Sequence, residues 1–108
     1  MELAVACYSA TKLFPNSEVY GMTSQIRRSA ASIAANIAEG HGRESTGAFI
    51  QFLRVAQGSL KELETHLILS EQVGLLKADE LSSLLHRAED IGKMLRAMVR
   101  SLQQKMSS

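Results

Sequence analysis

Few residues in this chain have the types and spacing that metal binding requires. Glu62 and His66 stand four residues apart, so on a helix their side chains share one face and can reach a common ion. A carboxylate-bridged metal bundle needs such pairs on two helices plus further carboxylates. The chain has no second pair, so the sequence predicts no metal site.

Candidate catalytic groups are equally sparse. Ser29 and Ser32 lie among alanines, where hydroxyls usually hydrogen-bond to the helix backbone, and His41 lies between two glycines in a predicted loop. The segment EGHG precedes no lysine-bearing helix start and is no phosphate-binding loop. The lone Cys7 cannot form an internal disulfide and is predicted to be an inert core thiol. We therefore expect no catalytic residues, no cofactor and no enzyme activity.

Arginines are the residues with the best chemistry for a ligand. The formal net charge is only +1, so the whole chain carries no strong basic field. Residues 91–108 nevertheless contain four cations and no acid, which fits either phosphate binding or a solvated face that suits the helix C-terminus. The predicted phosphate contacts, to RNA or DNA, are Arg27, Arg43, Arg96 and Arg100. Three Phe and two Tyr are too few for a stacking platform, so the expected binding is non-specific.

Four apolar repeats of alternating three- and four-residue steps predict four helices that position these arginines. Alternating strand patterns are absent, and the links are short enough to make neighbouring helices antiparallel. We predict one domain over residues 1–108, an all-α, antiparallel up-down-up-down four-helix bundle with a short first helix. The repeats are Leu3, Ala6, Ala10, Leu13; Val19, Met22, Ile26, Ala30, Ile33, Ile37; Phe49, Phe52, Ala56, Leu60, Leu63, Leu67; and Leu81, Leu84, Ala88, Ile91, Leu95, Met98, Leu102.

Proline, glycine and small polar residues predict where the helices end. Pro15 blocks the first helix, and Asn16 or Ser17 can cap the second. Gly40 and Gly42 are predicted to end the second helix, with Gly40 at positive φ. The predicted caps and stops of the third helix are Ser45 or Thr46 at its start and Gly74 at its end.

A polar stripe borders the apolar repeat of the second helix and faces the third. Half-buried polar groups need hydrogen-bond partners, so we expect a reciprocal lattice in which Arg28 meets Glu62 and costs more to break than a surface pair. Gly58 and Ser59 are expected to let the two backbones approach closely. The stripe either fixes helix register or serves function, and its predicted members are Gln25, Arg28, Ser32, Asn36, Glu39, Arg54 and Glu62.

Two long segments, FPNSEVYGMTSQIRRSAASIAANIAEGHGR and FIQFLRVAQGSLKELETHL, carry a resemblance to a known family. They resemble the bacterial four-helix-bundle family encoded within intervening sequences of 23S ribosomal RNA genes, sometimes called S23 ribosomal proteins. The likeness runs from about Glu2 to Leu102. The family pattern corresponds here to Gln25, Arg28, Ser32, Asn36, Ile37, Ala38, Glu39, Gly40, Arg43, Gly58, Ser59, Glu62 and Leu63.

The resemblance implies a fold and an assembly more than an activity, since no settled biochemical activity belongs to the family. More remotely, the chain is similar to the accessory variability protein of diversity-generating retroelements, a pentameric barrel thought to bind nucleic acid and a reverse transcriptase. That likeness implies a homopentamer here. Relatives usually have more residues before the position of Met1, which implies that this chain begins inside the first helix or at a misplaced start.

Apolar side chains beyond the four repeats also predict self-association, because a bundle needs only one inward stripe per helix. No run of about 18 uncharged residues spans a membrane, and the N-terminus lacks signal-peptide features, so we expect a cytoplasmic protein. The sequence thus favours an oligomer that binds RNA or DNA non-specifically, with a protein-interaction adaptor of unknown partner as the alternative. The extra apolar residues are Ile50, Ile68, Leu69, Leu85, Met94 and Val99.

Overall fold

A computed structural model describes residues 2–18 and 21–107. Within these ranges the chain forms four α-helices, one 3₁₀ turn at Asn16–Glu18 and no strand, which confirms the predicted all-α class. Met1, with the question of the true start, and Val19, the predicted first residue of the second repeat, lie outside the described residues. The helices are α1 (Glu2–Thr11), α2 (Met22–His41), α3 (Thr46–Gln72) and α4 (Ala78–Ser107).

The four helices form the predicted antiparallel bundle. Each helix packs on its chain neighbour, and α1 also packs on α4, which closes the ring. Because short links reverse the chain after α2 and α3, the topology is up-down-up-down. None of the helices in the described ranges is both long and apolar enough to cross a membrane. The largest fully buried apolar side chains are Leu3, Ile26, Ile33, Leu53, Leu63, Leu67 and Leu95.

The first helix is short, as predicted, with 10 residues against 30 in α4. At 1.5 Å per residue these lengths are about 15 and 45 Å, so α1 covers only part of α4. Glu2 at the start of α1 lies 3.7 Å from Arg87, which places the N-terminal end of α1 near the tenth residue of α4. Beyond this point three helices continue, with a shallow apolar groove lined by His41, Phe49, Met94, Ala97, Met98, Ser101 and Leu102.

The predicted cap of α3 is confirmed, but that of α2 is wrong. The Ser45 hydroxyl accepts a hydrogen bond from the Ala48 backbone N–H at 3.0 Å. In contrast, Asn16 and Ser17 lie in the 3₁₀ turn, and α2 begins only at Met22. The Glu18 carboxylate accepts from the Met22 backbone N–H at 3.4 Å, so an acid four residues earlier takes over the role of the cap.

Gly40 is not the left-handed helix end that the sequence predicted. It lies inside α2, which ends at His41, and Gly42 follows as the C-cap with φ −82°. A Cβ at Gly40 would lie 2.8 Å from Phe49 Cδ1 and 3.1 Å from Phe52 Cβ. Close approach of α3, rather than backbone conformation, therefore explains this glycine. Among the described residues, positive φ occurs only at Gly74 (86°), which ends α3 as predicted.

Candidate nucleic-acid interface

The four arginines predicted to contact phosphate do not share one surface. Arg27 lies on the α1 side of α2, where its Nε donates to the Thr11 hydroxyl at 2.9 Å. Its guanidinium carbon lies 4.7 Å from the centre of the Tyr8 ring, within cation–π distance. Arg27 thus holds α1 against α2 through its Nε donor and its guanidinium plane.

Arg43 is also tied to neighbouring side chains. Its guanidinium lies 3.6 Å from the Glu39 carboxylate and 4.7 Å from the centre of the Phe52 ring. Both contacts lie where the chain passes from α2 to α3, so Arg43 braces this link. About half of its side chain remains exposed to solvent.

Arg96 and Arg100 are exposed on α4 and stand one turn apart. Among the described residues, no carboxylate lies within ion-pair distance of either guanidinium. Arg96 lines a groove of about 440 Å³ between α3 and α4. The groove residues are Gln57, Gly58, Leu60, Lys61, Glu64, Ala88, Glu89, Gly92 and Arg96.

Two cations of α3 lie on the same side of the bundle as Arg96 and Arg100. The sequence did not predict them as phosphate contacts. Lys61 lines the groove opposite α4, and its side chain is 85% exposed. Arg54 is seven residues earlier on α3, two turns away on the same exposed side. The sequence alone cannot show that these two residues lie on the same side as Arg96, because this depends on how α3 and α4 align. We call the set Arg54, Lys61, Arg96 and Arg100 the basic face.

Charge along the groove is uneven. Glu64 and Glu89 line one end, where Lys93 lies 3.6 Å from Glu89, and Lys61, between the two ends, lies 3.9 Å from Glu64. At the Arg96 end the groove has no acid, and the basic face continues beyond it to Arg100. The field at that end is therefore positive although the chain is nearly neutral.

The polar stripe between α2 and α3 forms a smaller lattice than predicted. The hydroxyls of Ser32 and Ser59 lie 2.8 Å apart and join the two helices. The Asn36 amide donates to the Ser32 carbonyl at 2.8 Å and to its hydroxyl at 3.1 Å. These three half-buried side chains therefore satisfy one another. Gly58 lies outside this contact, because a Cβ there would meet nothing within 4 Å, so its predicted close-approach role is wrong.

The charged part of the stripe is a surface network. Arg28 lies 4.0 Å from Glu62, as the predicted register requires, and also donates to Gln25. Their side chains are 67% and 48% exposed, so solvent screens both charges and removes the half-buried setting on which the predicted high cost of breaking this pair depended. Glu39 pairs with Arg43 on its own side of the link. Arg54 is exposed on the basic face and takes no part in the lattice.

The residues considered for chemistry have structural contacts. Glu62 lies 3.5 Å from His66, yet no three His, Cys, Asp or Glu side chains of the described ranges are grouped to hold a metal. The Ser29 hydroxyl donates to the Gln25 carbonyl at 2.7 Å. His41 packs on Phe49 with ring centres 4.6 Å apart. Cys7 is buried, and burial raises the pKa of its thiol to about 11.

The extra apolar residues are only partly exposed. Val99 is buried in the core, which corrects its assignment to the surface, and Ile50 and Leu85 are half-buried. Other apolar residues are also exposed, and the sequence did not identify them because it does not show which residues pack against them. The exposed large apolar side chains are Val5, Tyr8, Leu13, Val55, Ile68, Leu69, Val73, Met94 and Met106.

Comparison with known proteins gives one family and one described structure. Residues 1–97 match the model of the family described as 23S rRNA-intervening sequence protein. A crystal structure of a protein with unknown function from the S23 ribosomal protein family of Bacteroides thetaiotaomicron VPI-5482 has a TM-score of 0.81 and 28% sequence identity. The match covers 91% of this chain and 92% of that one. No curated protein matches the sequence.

Proposed function

The chain belongs to the 23S rRNA-intervening sequence protein family, and from that premise we propose that it is a non-catalytic, oligomeric protein that binds RNA or DNA non-specifically. The basic face supports this proposal most directly. Arg96 and Arg100 are exposed without carboxylate partners among the described residues, and Arg54 and Lys61 lie on the same side. Such cations bind phosphate oxygens irrespective of sequence.

Shape and composition favour contacts to the nucleic-acid backbone over base reading. Arg54, Lys61, Arg96 and Arg100 lie on the sides of two packed helices, which cannot enter a major groove as a single recognition helix does. Among the described residues, Tyr8 is the only exposed Phe or Tyr, and it lies on α1 away from the basic face. Stacking on bases therefore adds little, and we expect similar affinity for different sequences.

Oligomerisation multiplies this face. A near-neutral subunit makes few phosphate contacts, whereas a ring of five, the number that the family resemblance implies, presents twenty cations from the four residues of each basic face. Exposed Val55 and Leu69 on α3, and Val73 at its C-cap, are fourteen and four residues apart and form an apolar stripe for subunit contact, interrupted by Glu62. Binding to cellular RNA or DNA agrees with the expected cytoplasmic location.

The test is the salt dependence of binding to a labelled DNA duplex and a labelled RNA hairpin, measured by fluorescence anisotropy. Phosphate contacts predict an affinity that falls linearly with salt on logarithmic axes, with similar slopes for different sequences. No binding at low salt would contradict the proposal. It would favour the alternative, a protein-interaction adaptor, which the exposed apolar stripe of α3 also supports.

A further inference from the structure

Gly92 is an unexpected residue in the middle of a 30-residue helix. Glycine inside a helix costs about 1 kcal/mol relative to alanine. A Cβ at Gly92 would lie 3.4 Å from Leu60 Cδ2, an ordinary packing distance, so the contact between α3 and α4 tolerates a methyl group. Packing of the core therefore does not account for the glycine.

The atom that a methyl group would displace belongs to Arg96. Arg96 Nη1 lies 3.3 Å from the Cβ position of Gly92. Arg96 is one turn further along α4, and long helical side chains fold back toward the preceding turn. The absence of a side chain at residue 92 thus allows the guanidinium to lie low in the groove between α3 and α4, where Arg96 is a lining residue.

The residues around the Arg96 guanidinium determine which kind of ligand it can bind. No carboxylate of the described residues lies within ion-pair distance of it, and Gln57 on the opposite helix supplies a neutral amide. Lys61, on the same helix as Gln57, adds a second cation and lies between this end and Glu64, 3.9 Å from that carboxylate. A planar guanidinium presents parallel N–H donors that match the oxygens of a phosphate. The opposite end is occupied by Glu64 and Glu89, which repel an anion and fix where it can bind.

We propose that the Gln57, Lys61 and Arg96 end of the α3–α4 groove is a subsite for a backbone phosphate of the bound nucleic acid, and that Gly92 is the residue that positions Arg96 in it. This inference rests on the proposed function. It adds a defined phosphate position to an otherwise diffuse basic face, and it makes Gly92 a positioning residue that does not touch the ligand.

The test compares Gly92→Ala, Arg96→Gln and their combination with the wild-type chain in anisotropy titrations of a labelled DNA duplex. Gly92→Ala keeps every charge, but it should weaken binding about three- to tenfold and reduce the logarithmic salt slope by about one. Because both changes remove the same contact, the double variant should bind no more weakly than Arg96→Gln. Gly47→Ala, the same change in α3 away from the groove, is the matched control and should bind as the wild type does.

Stability provides the second readout. The tight 3.3 Å contact involves the end of a flexible side chain, so Gly92→Ala should fold and melt at the same or a higher temperature than the wild type. Weaker binding by a chain of undiminished stability supports the subsite. If the wild type binds and Gly92→Ala binds equally well, or the two substitutions weaken binding additively, the subsite is wrong and the proposed function stands. If the wild type does not bind at low salt, both fail.

Discussion

At the scale of single residues, Gly40 makes the most demanding contact of α2. Replacing it with alanine places a methyl group 2.8 Å from the Phe49 ring and 3.1 Å from Phe52 Cβ. Overpacking of this kind costs about 1–3 kcal/mol, and the gain in helix propensity offsets up to about 1 kcal/mol. We therefore expect Gly40→Ala to lower the free energy of unfolding by about 1–2 kcal/mol, measured by urea denaturation.

Gly58→Ala is the control for that experiment. Gly58 is also inside a helix, but a Cβ there meets nothing within 4 Å, so alanine should stabilise the chain by up to about 1 kcal/mol. Opposite signs for the two substitutions are the expected result. A stabilising Gly40→Ala would show that α2 and α3 are further apart at this level than described.

Cys7 gives a residue-scale prediction about pH. Burial raises its pKa from 9.0 to about 11, so the folded chain keeps the thiol proton that the unfolded chain loses. This contribution to stability is fully present below pH 9 and is lost as pH rises through about 11. Denaturant unfolding from pH 8 upward should show a decline on the order of 2 kcal/mol. The decline should be smaller in Cys7→Ala, and equal declines would contradict the buried-thiol account.

At the scale of elements, the contact between α2 and α3 depends more on its neutral hydrogen bonds than on its ion pair. Ser32 and Ser59 are half-buried and bond across the helices, whereas Arg28 and Glu62 are exposed. Double-mutant cycles with alanine should give a coupling of about 1 kcal/mol for the serines and less for the ion pair. Added salt should reduce only the second coupling, and a larger, salt-insensitive Arg28–Glu62 coupling would overturn this ranking.

The helices were predictable from the sequence because their signals are local and repeated. Apolar steps of three and four residues identified all four, and Ser45 and Gly74 marked the start and end of α3. The start of α2 was not predictable, because either a 3₁₀ turn or a helix can follow Pro15. Gly40 was misread for a related reason: a glycine near a helix end suits a left-handed turn or a close neighbour, and only the position of Phe49 decides between them.

The candidate site was predictable only in part. The run of cations around Arg96 and Arg100 is visible in the sequence, since no acid interrupts it. The contributions of Arg54 and Lys61 depend on the register between α3 and α4, which spacing within one helix does not determine. The sequence predicts Arg27 and Arg43 as phosphate contacts because it cannot show that they pack on Tyr8 and Phe52, which lie in other parts of the fold.

At the scale of the whole molecule, the exposed apolar stripe of α3 predicts self-association. Val73 is 67% exposed and Val55 is 49% exposed, so replacing both with glutamate should scarcely affect a folded monomer. In an oligomer that buries them, the new charges would be desolvated without partners. We expect sedimentation at micromolar concentration to give a pentamer for the wild type and smaller species for the Val55→Glu, Val73→Glu variant.

Leu13→Glu is the control for the assembly experiment. Leu13 is 86% exposed but follows α1, which does not pack on α3 within the described part of the chain. This variant should sediment as the wild type does. A wild-type monomer at micromolar concentration would contradict the pentamer and the proposal that it combines five basic faces.

The most direct test of the central claim, that phosphate is bound on the basic face, compares two double variants of equal charge. Arg96→Gln with Arg100→Gln removes two cations from that face, whereas Arg28→Gln with Arg87→Gln removes two exposed cations elsewhere. For a DNA duplex, the first variant should lower the logarithmic salt slope by about two and weaken binding strongly, because two phosphate contacts are lost per subunit engaged. The second should bind almost as the wild type does, and equal weakening by both would contradict a localised phosphate-binding face.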